Sequence, residues 1–271
     1  MELQALREKS MQLRRDAVEC IGHFGTGHIG GVLSVMDILT VLYYKEMRNI
    51  DPKDPKKEGR DRCVISKGHS GPAVYAVLAD KGYFPKEWLK TLNLTGTNLP
   101  SHCDMVRTPG IDMTTGSLGQ GFSCAVGVAV GGKIKKEDSC VYTIIGDGES
   151  QEGQIWEASM YAAHAKLDNL IAFLDRNKFQ IDGAVDDINS LTCAAKKWEA
   201  FGWDTQEIDG HDMEQIIAAI AKAKTVKDKP HMIVCNTVKG KGVKFIEDAG
   251  ALNHHMNISP EQTKTALAEL A

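Results

Sequence analysis

The sequence predicts an α/β fold: a mostly parallel sheet with helices on both faces. Two observations carry this. Short continuous apolar runs at 63–66, 140–145, 170–174 and 231–235 read as strands buried on both sides. Segments with helical spacing of apolar residues separate them, the alternation expected of βα units. The chain has 271 residues, 42% hydrophobic and 25% charged, which suits a soluble globular protein. At this length roughly 70–75% of the unfolded surface can be buried.

The elements follow in order. Residues 3–22 read as a helix, with Leu3, Leu6, Leu13, Ala17, Val18 and Ile21 on one face. A Gly-rich turn is expected at 22–31, then a second apolar helix at 34–47, stopped by Asp51-Pro52. Residues 51–62 are charged and loop-like, 71–80 look helical, and 82–115 look irregular. The Gly, Ala, Ser and Val run at 116–132 fits a tightly packed buried helix. Ile155, Ser159, Ala162 and Ala163 mark another helix, and 190–201 and 213–224 two amphipathic ones. Ser259-Pro260 opens a terminal helix over 261–270. No repeat or linker stands out, so one domain over 1–271 is expected.

Charge and cysteines narrow the class. There are 32 basic and 36 acidic side chains, a net charge of −4, so a nucleic-acid coat is not expected. No apolar run reaches the ~18 residues of a membrane span. The first 15 residues are charged and helix-periodic, unlike a signal peptide. Seven widely spaced cysteines without Cys-x-x-Cys fit core thiols in a reducing cytoplasm.

Two motifs are decoys. Gly25-Thr26-Gly27-His28-Ile29-Gly30 matches G-x-G-x-x-G, but a helix precedes it where the dinucleotide fingerprint needs a strand. Residues 127–133 approach a P-loop, but Ile134 replaces the Ser or Thr that would hold magnesium.

The chemistry sits at two strand ends. After the run at 140–145 comes Gly146-Asp147-Gly148-Glu149-Ser150-Gln151-Glu152-Gly153. Ligands of parallel sheets bind beyond the carboxyl ends of strands. Gly146 and Gly148 let backbone approach a bulky anion, Asp147 supplies a hard oxygen, and the next helix offers N–H groups to phosphate. The run at 170–174 ends in Asp175-Arg176-Asn177-Lys178-Phe179. The Asp147 carboxylate, the Asn177 side-chain oxygen, a nearby main-chain carbonyl, one water and two diphosphate oxygens would complete an octahedral Mg²⁺ shell.

This pair of motifs resembles the thiamine-diphosphate motif. Gly27-His28-Ile29-Gly30-Gly31, Ser66-Lys67-Gly68-His69, Thr114-Thr115-Gly116-Ser117-Leu118-Gly119-Gln120-Gly121 and Lys239-Gly240-Lys241-Gly242 resemble the diphosphate-binding half of transketolases, in the same order. The likeness is to the separate N-terminal subunit of split transketolases. It implies thiamine diphosphate with Mg²⁺ (Ca²⁺ or Mn²⁺ substituting) held by Asp147, Asn177 and the carbonyl of Phe179. It implies further that Gly146 and Gly148 border the diphosphate, and that Gly116 and Leu118 touch the aminopyrimidine. Lys239 and His69 would lie near the diphosphate, and Glu152 in an interfacial carboxylate network. His28, His69, His102 and His254 would line the channel to the thiazolium. Ser101-His102-Cys103 stands where the family usually has Gly-His-Pro, and Asn253-His254-His255 where it has Trp-His, so either His254 or His255 could fill the last place.

The other histidines read differently. His164, His211 and His231 fall in or beside regular elements and read as structural, and His23 as a cap on the first helix. A zinc site is disfavoured, since no close His pair recurs with Cys or Asp. The implied activity is transfer of a two-carbon ketol unit from a ketose, by default phosphorylated, to an aldose, as in pentose phosphate metabolism. Neutral imidazoles suit the proton transfers to sugar hydroxyls. The implied partner is a pyrimidine-binding C-terminal subunit, in an α2β2 assembly, because the diphosphate motifs fill the chain to about residue 255. Two alternatives remain: a pyruvate-using synthase of the deoxyxylulose-phosphate type, and a cofactor-fold subunit without turnover.

Overall fold

The computed structural model describes residues 1–271. The N-terminal part holds α1 (Leu3–Phe24), β1 (Thr26–Gly27), α2 (Ile29–Ser34), α3 (Met36–Val41), β2 (Arg62–Ile65) and α4 (Gly71–Asp80). The middle holds α5 (Gln120–Lys135), β3 (Val141–Gly146), α6 (Gly153–His164), β4 (Leu170–Arg176), β5 (Phe179–Gln180), β6 (Gly183–Ala184), α7 (Val185–Asn189) and α8 (Ala194–Ala200). The rest is β7 (Asp204–Asp209), α9 (Met213–Thr225), β8 (His231–Asn236), α10 (Lys244–Asp248), β9 (Met256–Asn257) and α11 (Pro260–Glu269). No helix is long and apolar enough to cross a membrane.

The central sheet has the order β2-β3-β4-β8-β7, and every neighbouring pair is parallel. Two small antiparallel pairs, β1 with β9 and β5 with β6, lie outside it. Successive strand residues face opposite ways. Tyr142, Ile144, Ile171 and Phe173 pack with α1, α3, α4 and α9, whereas Val141, Ile145, Leu170 and Ala172 pack with α5, α6 and α8. Both faces are covered, so the strands read as unbroken apolar runs without alternation.

Several expectations need correcting. Helix α1 runs two residues further than expected, to Phe24, and Gly25 stops it. Gly25 sits at φ 89° with its N–H on the carbonyl of Ile21 at 2.9 Å, a left-handed ending that glycine adopts without strain. His23, expected as the cap, is exposed. The rest of the expected turn is β1 and the first turn of α2. The helix expected at 34–47 is broken into the end of α2, α3 and a π-helical turn at Leu42–Glu46. The helix expected at 190–201 shrinks to α8, with α7 before it.

Helix α5 begins at Gln120, so 116–119 is loop. It is buried along one face only, through Gly121, Phe122, Ala125, Val126, Ala129 and Gly132. A Cβ on Gly121 would lie 2.7 Å from the Cα of Ser66, and its absence lets the helix rest on the chain leaving β2. Strand β7 was not expected. Its sequence, Asp-Thr-Gln-Glu-Ile-Asp, carries one large aliphatic residue because the strand is half-exposed along its length, unlike β2 at the opposite edge, which is mostly buried.

The register aligns the strand ends. Ile65 pairs with Ile144, Gly146 with Asp175, and Arg176 with Asn236. The loops after β2, β3, β4 and β8 therefore leave the same edge of the sheet together.

Candidate active site

At that edge lies a cavity of about 360 Å³. Its lining includes every residue singled out above: His28, His69, His102, Gly116, Leu118, Gly146, Asp147, Gly148, Glu152, Asn177, Phe179, Lys239 and His254. A larger groove, of about 710 Å³, lies between α1 and α11 and contains none of them. The smaller cavity is the candidate, because four strand-end loops and the buried charges converge on it.

Asp147 follows β3 directly and is 2% exposed. Its Oδ1 accepts from the Gly148 N–H at 2.8 Å and its Oδ2 from the Lys178 N–H at 2.5 Å. Burial, then the neighbouring Asp175 carboxylate, push its pKa up to about 7. Asn177 is also buried, and its Oδ1 accepts from the Phe179 N–H at 3.2 Å. The Phe179 carbonyl accepts from Lys239 Nζ at 3.1 Å. A buried carboxylate beside an amide oxygen and a main-chain carbonyl is a hard oxygen donor set and fits a divalent ion. No trio of His, Cys, Asp or Glu is grouped to chelate a metal. Gly148 lies under Gln180: a Cβ there would come 2.8 Å from that residue's Cβ.

The histidines form one cluster around His28, which precedes α2. Its ring centroid lies 5.4 Å from those of His69 and His102, and 5.5 Å from that of His254. Burial, then the neighbouring rings of His255 and His102, lower the His28 pKa to about 4. Burial, then Lys239, lower that of His254 to about 3, and burial lowers His69 and His102. These imidazoles are neutral at pH 7. The structure also separates the last two: His254 faces the cavity, with Nδ1 3.1 Å from Lys239 Nζ. His255 is exposed and packs edge-on against His28, its centroid 4.7 Å away. Burial, then Lys67, lower Lys239 to about 8.

The histidines read as structural lie away from the cavity. His211 Nδ1 sits 2.8 Å from Asp37 Oδ2, and its Nε2 accepts from the Val238 N–H. His231 is buried beside Asp204, and His164 is exposed at the end of α6.

Three lining or supporting residues stand inside the motifs quoted above, yet the sequence alone gives them no role. Glu149 is buried; its Oε1 accepts from the Gly119 N–H at 2.9 Å and its Oε2 from the Gly146 N–H at 3.0 Å. It also accepts from the Ser66 hydroxyl, so it ties together the loops after β2 and β3 and the start of α5. Lys67 and Asp175 form an ion pair with both side chains at most 1% exposed. The signal for all three is position: each is a charged residue at the carboxyl end of an apolar run.

The family model for the transketolase, thiamine diphosphate binding domain, matches residues 7–264. The chain belongs to the transketolase family. Among transketolase relatives, the 6-deoxy-6-sulfo-D-fructose transketolase subunit SqwG of Clostridium sp. (strain MSTE9) is 54% identical over 265 residues, covering 98% of this chain and 96% of that one. An apulose-4-phosphate transketolase subunit from Phocaeicola vulgatus is 41% identical over 271 residues, covering 100% and 95%. The crystal structure of transketolase from Campylobacter jejuni superposes with a TM-score of 0.91 at 32% identity. The chain aligns along its full length there, but spans 43% of that longer chain. It is thus a transketolase-family enzyme subunit with the thiamine-diphosphate-binding fold of that family.

Proposed function

We propose that this chain is the diphosphate-binding subunit of a heteromeric transketolase. With a pyrimidine-binding partner it transfers a two-carbon ketol unit from a ketose with an anionic far end to an aldose. The observation that carries this reading is the meeting of the His28 cluster with Asp147, Asn177 and Lys239 in one cavity at the strand ends.

Asp147, Asn177 and the Phe179 carbonyl would hold Mg²⁺, and Lys239 and His69 would face the diphosphate. When bound, thiamine diphosphate supplies a nucleophilic carbon able to carry a ketol unit, so that the bond beside a ketose carbonyl can break and re-form. The chain's own part is binding and proton handling. His28, His102 and His254 present neutral ring nitrogens that accept or donate a proton at sugar hydroxyls. Burial keeps all three neutral, and at His28 and His254 the nearby charges of Lys239 and Lys67 oppose protonation further. Main chain at Gly116 and Leu118 would border the aminopyrimidine.

The relatives guide the choice of substrate. The relative at 54% identity is named for a sulfonated ketose, and that at 41% for a phosphorylated one. 6-Deoxy-6-sulfo-D-fructose is therefore the first donor to assay and apulose 4-phosphate the second. The test is to co-purify the chain with its native partner and follow ketol transfer across a ketose and aldose panel. Transfer without gas release supports the reading. Release of CO₂ from pyruvate at a comparable rate would replace it with the synthase reading.

A further inference from the structure

Asp175, at the end of β4, is fully buried and stands two residues before Asn177. Its Oδ2 accepts from Asn177 Nδ2 at 2.9 Å and from Ser34 Oγ at 2.7 Å, and it pairs with Lys67 Nζ. Its Oδ1 accepts from Thr237 Oγ1. An amide side chain has a donor end and an acceptor end of nearly the same shape, and only the oxygen can ligate Mg²⁺. An ionised carboxylate accepts hydrogen bonds and donates none. Asp175 can therefore hold only the nitrogen end of Asn177, which turns Oδ1 the other way. Four donors, from Ser34, Lys67, Asn177 and Thr237, converge on the two oxygens of Asp175, so both oxygens act as acceptors.

The geometry points to Asp175 as a positioning residue: it fixes the amide of Asn177 so that oxygen, and not nitrogen, faces the divalent cation. This rests on the proposed role of Asn177 as a cation ligand. Asp175 also ties Ser34, Lys67 and Thr237 together, so a positioning role must be separated from a purely structural one.

The experiment uses the chain assembled with its partner and measures thiamine diphosphate binding by calorimetry over a Mg²⁺ series. In Asp175→Asn, the Mg²⁺ concentration for half-saturation should rise about tenfold or more, the usual effect of losing a group that orients a metal ligand. Saturating Mg²⁺ should restore thiamine diphosphate affinity. The exchange variant, Asp175→Asn with Asn177→Asp, should recover most of the loss, because an amide at 175 can donate to a carboxylate at 177 whose other oxygen faces the cation.

An unchanged Mg²⁺ requirement in Asp175→Asn overturns the inference. So does a loss that is equal at every Mg²⁺ concentration and not recovered by the exchange. If Asp175→Asn does not assemble, the exchange variant decides: near-parent Mg²⁺ dependence supports positioning, and a raised requirement or failure to assemble refutes it. Asp147→Ala, measured alongside, separates the two readings. If its Mg²⁺ requirement is also unchanged, the cation site itself is misassigned. If only Asp175→Asn is unchanged, the positioning role alone fails.

Discussion

At the scale of the residue, charge and burial set what the cavity can do. Asp147 is a buried acceptor beside a second carboxylate, Asp175, whose own charge is met by Lys67. Asp147→Ala removes the one charged donor assigned to the cation. Thiamine diphosphate affinity in the assembled enzyme should fall by about tenfold or more with little change in melting temperature. Titration with and without Mg²⁺ checks this, and unchanged affinity would remove Asp147 from the site. His28→Ala and His102→Ala should instead act on turnover, lowering kcat/KM for a ketose donor by about 10²–10⁴ while leaving cofactor affinity close to parent. Steady-state kinetics beside cofactor titration distinguishes the two effects. The buried rings also carry a pH signature. His28 and His254 titrate near 4 and 3 in the folded chain, below the ordinary 6.5. The unfolded chain takes up these protons first as pH falls, so stability is unaffected by them above about 6.5 and is lost as pH falls from there to about 4 for His28 and about 3 for His254. Melting temperature should decline over that window, and His28→Gln with His254→Gln should flatten the decline.

At the scale of the element, close backbone approach matters more than propensity. Gly121 lets α5 pack onto the chain at Ser66, whose hydroxyl accepts from the Phe122 N–H at 2.8 Å. Gly121→Ala should push that contact apart and cost about 1–3 kcal/mol. For a chain of this size that is a melting shift of roughly 2–10 °C, readable by calorimetry. The same elements show what is legible in the sequence. Strands β2, β3, β4 and β8 stand out because both their faces are buried and each has an unbroken, mostly apolar stretch. Edge strand β7 does not, because half-exposed polar residues carry no such mark. The break between α2 and α3 is hidden because Leu33 to Leu42 is buried throughout and gives no periodic signal. In the site, Asp147 and Asn177 are legible from fixed spacing after two apolar runs. Glu149, Lys67 and Asp175 are not, because their partners are far along the chain: Glu149 reaches Gly119 and Ser66, and Lys67 reaches Asp175.

At the scale of the whole molecule, one sheet edge gathers four loops into one cavity, the place proposed above for the diphosphate end of the cofactor. Only main chain at Gly116 and Leu118 is assigned to the aminopyrimidine end, which is why a second module is proposed, and the two relatives described above are each named as subunits. Two expectations follow for the assembly. Thiamine diphosphate with Mg²⁺ at about a hundred times its Kd should stabilise the assembled pair by about 2.7 kcal/mol, and a tenfold weaker site in Asp147→Ala should cut the gain to about 1.4 kcal/mol. Thermal shift with and without the cofactor tests this. The most direct measurement is ketol transfer from 6-deoxy-6-sulfo-D-fructose or apulose 4-phosphate to an aldose, with thiamine diphosphate and Mg²⁺, by this chain alone, its native partner alone and the two combined. Transfer only in the combined sample is the expected result. Robust turnover by this chain without a second polypeptide, or none from any ketose when both are present and loaded, would contradict it.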